Sequence, residues 1–137
     1  MQIPNSLQAF PHPALIAVTD NARALIFEVS DRTINLLQTL SADVHERETE
    51  HTFFDRDMHN KEHVREELFT NLAKTLHSLL QQKKIEHVAL VAPEERMETL
   101  KEHLPMDVLK KVFSEVPKNL TGEDLLEIVG HVQEAAS

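Results

Sequence analysis

The segment Val88 to Ala92 is apolar at every position. Successive strand residues face opposite sides of a sheet, so a strand of this composition must be covered on both, and such strands are typically central and parallel. The flanking sequence supplies the cover. From Lys61 to Gln82, Val64, Leu68, Leu72, Leu76 and Leu79 or Leu80 recur every three or four residues, joined by Phe69 and Ala73, which predicts a helix with one apolar face. Its end, Gln81-Gln82-Lys83-Lys84, places cations against the negative pole of the helix dipole. A helix ahead of a parallel strand is the crossover that parallel pairing requires.

Beyond the strand, Pro93 suits a first helical turn and Glu94 and Glu95 complement the dipole. Met97, Leu100 and Leu104 line the buried side of this helix before Pro105 stops it. A short turn from Met106 to Leu109 leads to a last strand, KKVFSEVPK, which Pro117 assigns to a sheet edge. That edge offers a route to pairing with a second copy, against which Pro117 and the flanking lysines are common defences. Thr121, with Asp124 three residues on, is expected to cap a closing helix whose stripe is Leu125, Ile128, Val129 and Val132.

At the other end, Pro4, Pro11 and Pro13 predict an extended arm over residues 1–13. A single domain is expected over 14–137. ALIAVT and RALIFEVS read as strands joined at Asp20-Asn21, where Asp20 suits an Asx-turn accepting backbone hydrogen bonds. After a second turn at Ser30-Asp31, RTINLLQTL places Ile34, Leu36 and Leu40 on one side. The pattern then lapses between about residues 41 and 60 into an acidic, histidine-rich stretch expected as a long exposed loop. Three antiparallel strands followed by helix, strand, helix, strand and helix define an α/β chain, a mixed sheet with helices on its faces in the ribonuclease-H-like order.

With 137 residues and a formal charge of −9, the chain repels nucleic acid at long range, so autonomous nucleic-acid binding is disfavoured. Basic groups at Lys83 and Lys84, or at Lys110, Lys111 and Lys118, lie among apolar and acidic residues, and there is no tryptophan or tyrosine to stack a base. The lack of cysteine excludes disulfides, thiolate metal sites and a cysteine nucleophile, and fits a reducing cytoplasm. No run approaches the ~18 apolar residues needed to cross a bilayer, and the first twenty lack a secretion signal.

Four pieces carry a family resemblance: Asp20-Asn21-Ala22-Arg23-Ala24 before the second strand, Leu90-Val91-Ala92-Pro93 ending the fourth, Leu100-Lys101 in the next helix, and Val116-Pro117-Lys118-Asn119-Leu120-Thr121 before the last. In this order the chain resembles the bacterial host-attachment protein family, itself similar to the middle domain of archaeo-eukaryotic peptide-chain release factors. The resemblance implies that fold, a protein or ribosome-related partner, and interest in Asp20, Arg23, Pro93, Lys101 and Lys118 as motif positions. Where the family often has a glycine ahead of the leucine and basic residue, this chain has Met97-Glu98-Thr99-Leu100-Lys101.

Release factors use a Gly-Gly-Gln loop to hydrolyse peptidyl-tRNA, and that motif is absent: the two glycines, Gly122 and Gly130, fall in the expected last helix. Ribonuclease-H-like nucleases hold two divalent ions about 4 Å apart between carboxylates on the first strand and near the end of the fourth. Here the second position is Ala92-Pro93. The richest donor set lies between Asp43 and His63, where His51, Asp55, His59 and His63 offer imidazole and carboxylate to zinc or another divalent ion. His59-Asn60-Lys61-Glu62-His63 also spells H-x-x-E-H, a zinc-peptidase pattern short enough to arise by chance among nine histidines. Asn60 is expected as an N-cap that leaves His59 outside the helix. Two functions follow: a non-catalytic interaction module with no cofactor, and, as the alternative, a small metal-dependent hydrolase built on the histidine-rich loop.

Overall fold

The computed structural model describes residues 1–41 and 57–136, with the side chains of the first helix described from Glu67 onward. Its elements are β1 (Phe10–Thr19), β2 (Arg23–Asp31), β3 (Thr33–Ser41), α1 (Asp57–Lys83), β4 (Val88–Val91), α2 (Glu94–His103), α3 (Met106–Leu109), β5 (Val112–Val116) and α4 (Leu125–Ala136). The strands form one sheet in the order β3-β2-β1-β4-β5. β1, β2 and β3 pair antiparallel, whereas β4 runs parallel to both β1 and β5. This is the mixed sheet of the ribonuclease-H-like order.

Alternation along the central strands builds two cores. Leu15 and Ala17 of β1, Ile26 of β2, and Val88 and Leu90 of β4 face α1, α2 and α3, where they meet Leu68, Phe69, Leu72, Leu76, Leu80, Leu100 and Val108. The intervening residues, Ile16 and Val18, Phe27 and Val29, and Ala89 and Val91, meet Ile128, Val129 and Val132 of α4. All four residues of β4 are fully buried, as a strand enclosed between two helical layers requires. Val64, placed on the same face of α1 by its spacing, lies outside the described side chains.

The first thirteen residues pack onto the domain. Ile3 is buried, the Ile34 amide donates to the Met1 carbonyl, and the Ile3 amide donates to the Arg32 carbonyl. β1 starts at Phe10 rather than Ala14, with its pairing to β2 irregular between the two. Pro11 and Pro13 fall within that irregularity, where neither can donate a ladder hydrogen bond.

β3 departs from simple alternation. Ile26 pairs with Gln38 and Phe27 with Leu36, so Leu37 is the extra residue of a bulge. Ile34 therefore joins the α4-side core while Leu37 and Leu40 pack on the α1 side, and Leu36 is left 54% exposed. The expected common face for Ile34, Leu36 and Leu40 is corrected by that one inserted residue.

α1 begins at Asp57, earlier than the expected Lys61, so His59 and Asn60 lie within the helix and Asn60 is not its N-cap. No proline or glycine interrupts Asp57 to Glu62, and an acid at the first position favours the positive pole of the dipole. At the other end Lys84 adopts φ 56°, the Ile85 amide donates to Leu80, and the Lys84 amide faces the Gln81 carbonyl at 3.4 Å. This is a Schellman termination with a lysine where glycine carries no Cβ penalty. Lys84→Gly is expected to stabilise the protein by about 0.5–1 kcal/mol, read as a higher urea midpoint.

Candidate functional site

The carboxyl ends of the parallel strands β1, β4 and β5 open onto three connections: Asp20 to Ala22, Ala92-Pro93, and Pro117 to Asp124. Crevices outside the carboxyl ends of strands are where open α/β sheets usually bind ligands. In the first connection Oδ1 of Asp20 accepts hydrogen bonds from the amides of Ala22 (2.7 Å) and Arg23 (2.9 Å), the expected Asx-turn. The Asp20 amide in turn donates to the Arg23 carbonyl at 3.0 Å. Thr19, buried at the end of β1, donates its hydroxyl to the same carbonyl at 2.9 Å, which ties the turn to the core.

The third connection closes onto the first. Thr121 donates its hydroxyl to Oδ2 of Asp20 at 2.7 Å, its Oγ1 lies 3.0 Å from Oδ1 of Asn119, and Arg23 donates from Nη2 to the Thr121 carbonyl at 3.2 Å. Thr121 was expected to cap α4. It does not: α4 begins at Leu125, and the hydroxyl is directed to a carboxylate about a hundred residues away in sequence. With α4 beginning at Leu125, Thr121 lies ahead of the N-cap position, and its hydroxyl hydrogen goes to a charged acceptor, which binds it strongly. Gly122 accordingly lies in a turn ahead of the helix and Gly130 within it.

Burial pushes the Asp20 pKa up, but the Thr121 hydroxyl, the Ala22 and Arg23 amides and the Arg23 charge together outweigh it and hold the carboxyl below the ordinary aspartate value. A folded-state pKa below the unfolded one contributes stability that is complete above the unfolded value, about 3.9, and lost as pH falls through the folded value. Asp20→Asn is therefore expected to lose less stability than the wild type between about pH 6 and pH 3, measured as urea midpoints across that range.

The motif positions do not form one cluster. Asp20 and Arg23 join Asn119 and Thr121, and Lys118 lies exposed in the same connection. Pro93 sits at the N-cap of α2, at the carboxyl end of β4. Lys101 belongs elsewhere: its Nζ lies 3.2 Å from Glu115 of β5 and 3.3 Å from Glu98, and Glu115 chiefly holds its pKa above the ordinary lysine value. Asn119 and Thr121 were not singled out from sequence as partners of Asp20. The signal was present in the joint occurrence of the first and last motif pieces.

Of the metal-ligand candidates, His51 and Asp55 lie outside the described residues. His59 and His63 both fall in α1, four residues apart, and their side chains lie outside the described ones. Among the described residues no group of three or more histidines, aspartates or glutamates is arranged to hold a metal ion. Of the basic positions, Lys83 pairs with Glu28 at 3.1 Å and Lys111 with Glu86 at 3.5 Å, so two of those charges already meet carboxylates. No helix among the described residues is long and apolar enough to cross a membrane.

A five-stranded mixed sheet of this order, with its loops gathered at the carboxyl ends of β1, β4 and β5, defines an α/β domain shared with release-factor middle domains. Residues 37–132 match the family described as "Protein required for attachment to host cells", and the chain belongs to that family. Among solved structures it is similar to the archaeal translation termination factor aRF1, with a TM-score of 0.54 and 14% identity over 89% of this chain and 37% of that one. It is also similar to S. cerevisiae Dom34, a translation termination-like factor involved in RNA quality control pathways and interacting with Hbs1, with a TM-score of 0.51 and 14% identity over 90% of this chain and 36% of that one. The chain thus spans little more than a third of either protein, and at this identity the likeness is one of fold. No curated protein matches it in sequence.

Proposed function

We propose that this protein acts by binding rather than by catalysis, as an interaction module of the host-attachment family that engages a protein or ribosome-related partner in the cytoplasm. The observation that carries this reading is the occupation of Asp20. Both of its oxygens already accept hydrogen bonds, Oδ1 from two amides and Oδ2 from Thr121. The corresponding end of β4 offers Ala92-Pro93 in place of a second acid. Two-metal hydrolysis needs paired carboxylates with free lone pairs aimed at the ions, and release-factor chemistry needs the Gly-Gly-Gln loop that the chain lacks. Around the closed cluster, exposed Asn21, Ala22, Arg23, Lys118 and Asn119 present a small polar surface on rigid strand ends, a form suited to recognition. Affinity capture from a bacterial lysate is expected to recover a reproducible partner that Arg23→Ala/Lys118→Glu protein retains less well. Equal recovery by the two proteins, or no reproducible partner, contradicts the reading.

One observation favours a second reading, the metal-dependent hydrolase. Because α1 starts at Asp57, His59 and His63 fall four residues apart within one helix, the sequence spacing of paired zinc ligands. Elemental analysis of protein purified without a histidine tag separates the two readings. Under the interaction reading no stoichiometric ion co-purifies; an ion lost in both His59→Ala and His63→Ala replaces that reading with the hydrolase.

A further inference from the structure

At the end of the sheet opposite Asp20, where β1 and β4 begin, two imidazoles meet. The rings of His12 and His87 have centres 5.4 Å apart and planes inclined by 27°. No other two histidines among the described residues stand ring to ring. The local sequence holds both in place. His12 lies between Pro11 and Pro13 in the irregular opening of β1, where the prolines restrict the backbone on either side. His87 directly precedes β4, and its carbonyl accepts from the Leu15 amide at 3.0 Å. Phe113 of β5, packed against the α4-side core, meets the His87 ring edge-on at 6.0 Å.

What the two rings lack is a polar partner. His103 places Nδ1 2.8 Å from the Thr99 carbonyl and His77 places Nδ1 2.9 Å from Asp107, whereas neither the His12 nor the His87 ring makes a hydrogen bond or ion pair. Solvent reaches both: His12 is exposed, and the nitrogens of half-buried His87 are not sealed off. Glu86, the adjoining acid, is drawn to Lys111 at 3.5 Å.

We propose that His12 and His87 together bind one divalent ion of the borderline class that zinc represents, with water in its remaining positions. Distance carries the argument. An imidazole nitrogen lies about 2.0–2.1 Å from zinc and about 1.2 Å from its own ring centre, so two rings on one tetrahedral ion have centres about 5.2–5.4 Å apart. The two rings already stand at that separation. Aromatic attraction alone is satisfied anywhere from about 4.5 to 7 Å and leaves all four nitrogens unused. Imidazole selects zinc, nickel or copper over magnesium and calcium, which take oxygen, and a chain of charge −9 draws cations towards it. Among the described residues no third histidine or carboxylate joins the pair, so the ion exchanges with solution and is expected to be lost on purification. The site is independent of what the Asp20 end recognises.

NMR of the histidine ring signals of the full chain, titrated with Zn²⁺, tests this. The nine histidines are read separately, so an ion held at His59 or His63 is told apart from one held here. His12 and His87 are expected to move together along one binding curve. In His12→Ala the response of His87 is expected to need about tenfold more Zn²⁺, because one ligand of a chelating pair is gone. His12 is exposed, so the variant is expected to melt with the wild type; should it melt lower, His12→Gln, closer to histidine in size, supplies the same comparison. No movement of either signal up to ~1 mM Zn²⁺ overturns the proposal. Separate binding curves for His12 and His87, or a His87 response unchanged by the loss of His12, overturn it equally.

Discussion

Leu90→Ala is expected to cost about 3–4 kcal/mol of unfolding free energy and to lower the melting temperature by about 10 °C. Leu90 lies in the middle of β4, fully buried, with β1 on one side and β5 on the other. Its side chain belongs to the core beneath α1 and α2. A neighbour on a mobile segment could shift to fill the space. Here the surroundings are two hydrogen-bonded strands and packed helices, so the cavity stays open and the cost falls in the upper part of the leucine-to-alanine range. Leu36→Ala is the matched control: the same atoms are removed from a side chain 54% exposed, with an expected change within about 0.5 kcal/mol. Urea unfolding of both variants, analysed with the wild-type slope, checks the pair. Equal losses in the two place the load of the core elsewhere than on β4.

Asp20→Ala is expected to destabilise by about 2–3 kcal/mol. The substitution leaves the Ala22 and Arg23 amides and the Thr121 hydroxyl without their acceptor, and it releases the connection ahead of α4 from the turn after β1. Bonds to a charged acceptor are stronger than neutral ones, and the Thr121 hydroxyl lies partly shielded from water. A double-mutant cycle isolates the long-range bond. Thr121→Val alone is expected to cost about 1–2 kcal/mol, and Thr121→Val with Asp20→Asn less than the sum of the singles by about 1 kcal/mol. Strict additivity means that the two connections hold their positions independently of one another.

The central architecture is written in the local sequence. Val88 to Val91 has no polar face, so its burial and parallel pairing follow from composition; the stripe of α1 and the prolines at 93 and 105 follow from spacing and backbone stereochemistry. What local patterning does not carry is any choice decided by a distant partner. Thr121 followed by Asp124 reads as a cap, yet the helix starts at Leu125 and the Thr121 hydroxyl donates to Asp20 in the first connection. β3 reads as alternating until the bulge at Leu37 moves Leu40 to the other face, a change forced by matching two strands rather than by β3 itself. The start of α1 shifted for a related reason: four residues that include no proline or glycine, Asp57 to Asn60, extend a helix whose packing is fixed farther along. The site was legible in the same uneven way. Asp20 and its Asx-turn could be read from the dipeptide, whereas its closure by Thr121 and Arg23 required the third dimension.

If the carboxyl end of β1 is a recognition surface, its carboxylate must be held by the protein's own donors and not left for a metal. Carbon-13 NMR of the Asp20 carboxyl, titrated with acid in the presence and absence of Mn²⁺, measures this directly. The expected result is a pKa below the ordinary aspartate value and a resonance that Mn²⁺ does not broaden. A pKa at or above the ordinary value, or selective broadening of Asp20 by substoichiometric Mn²⁺, contradicts the account and restores a metal-dependent reaction at this end of the sheet.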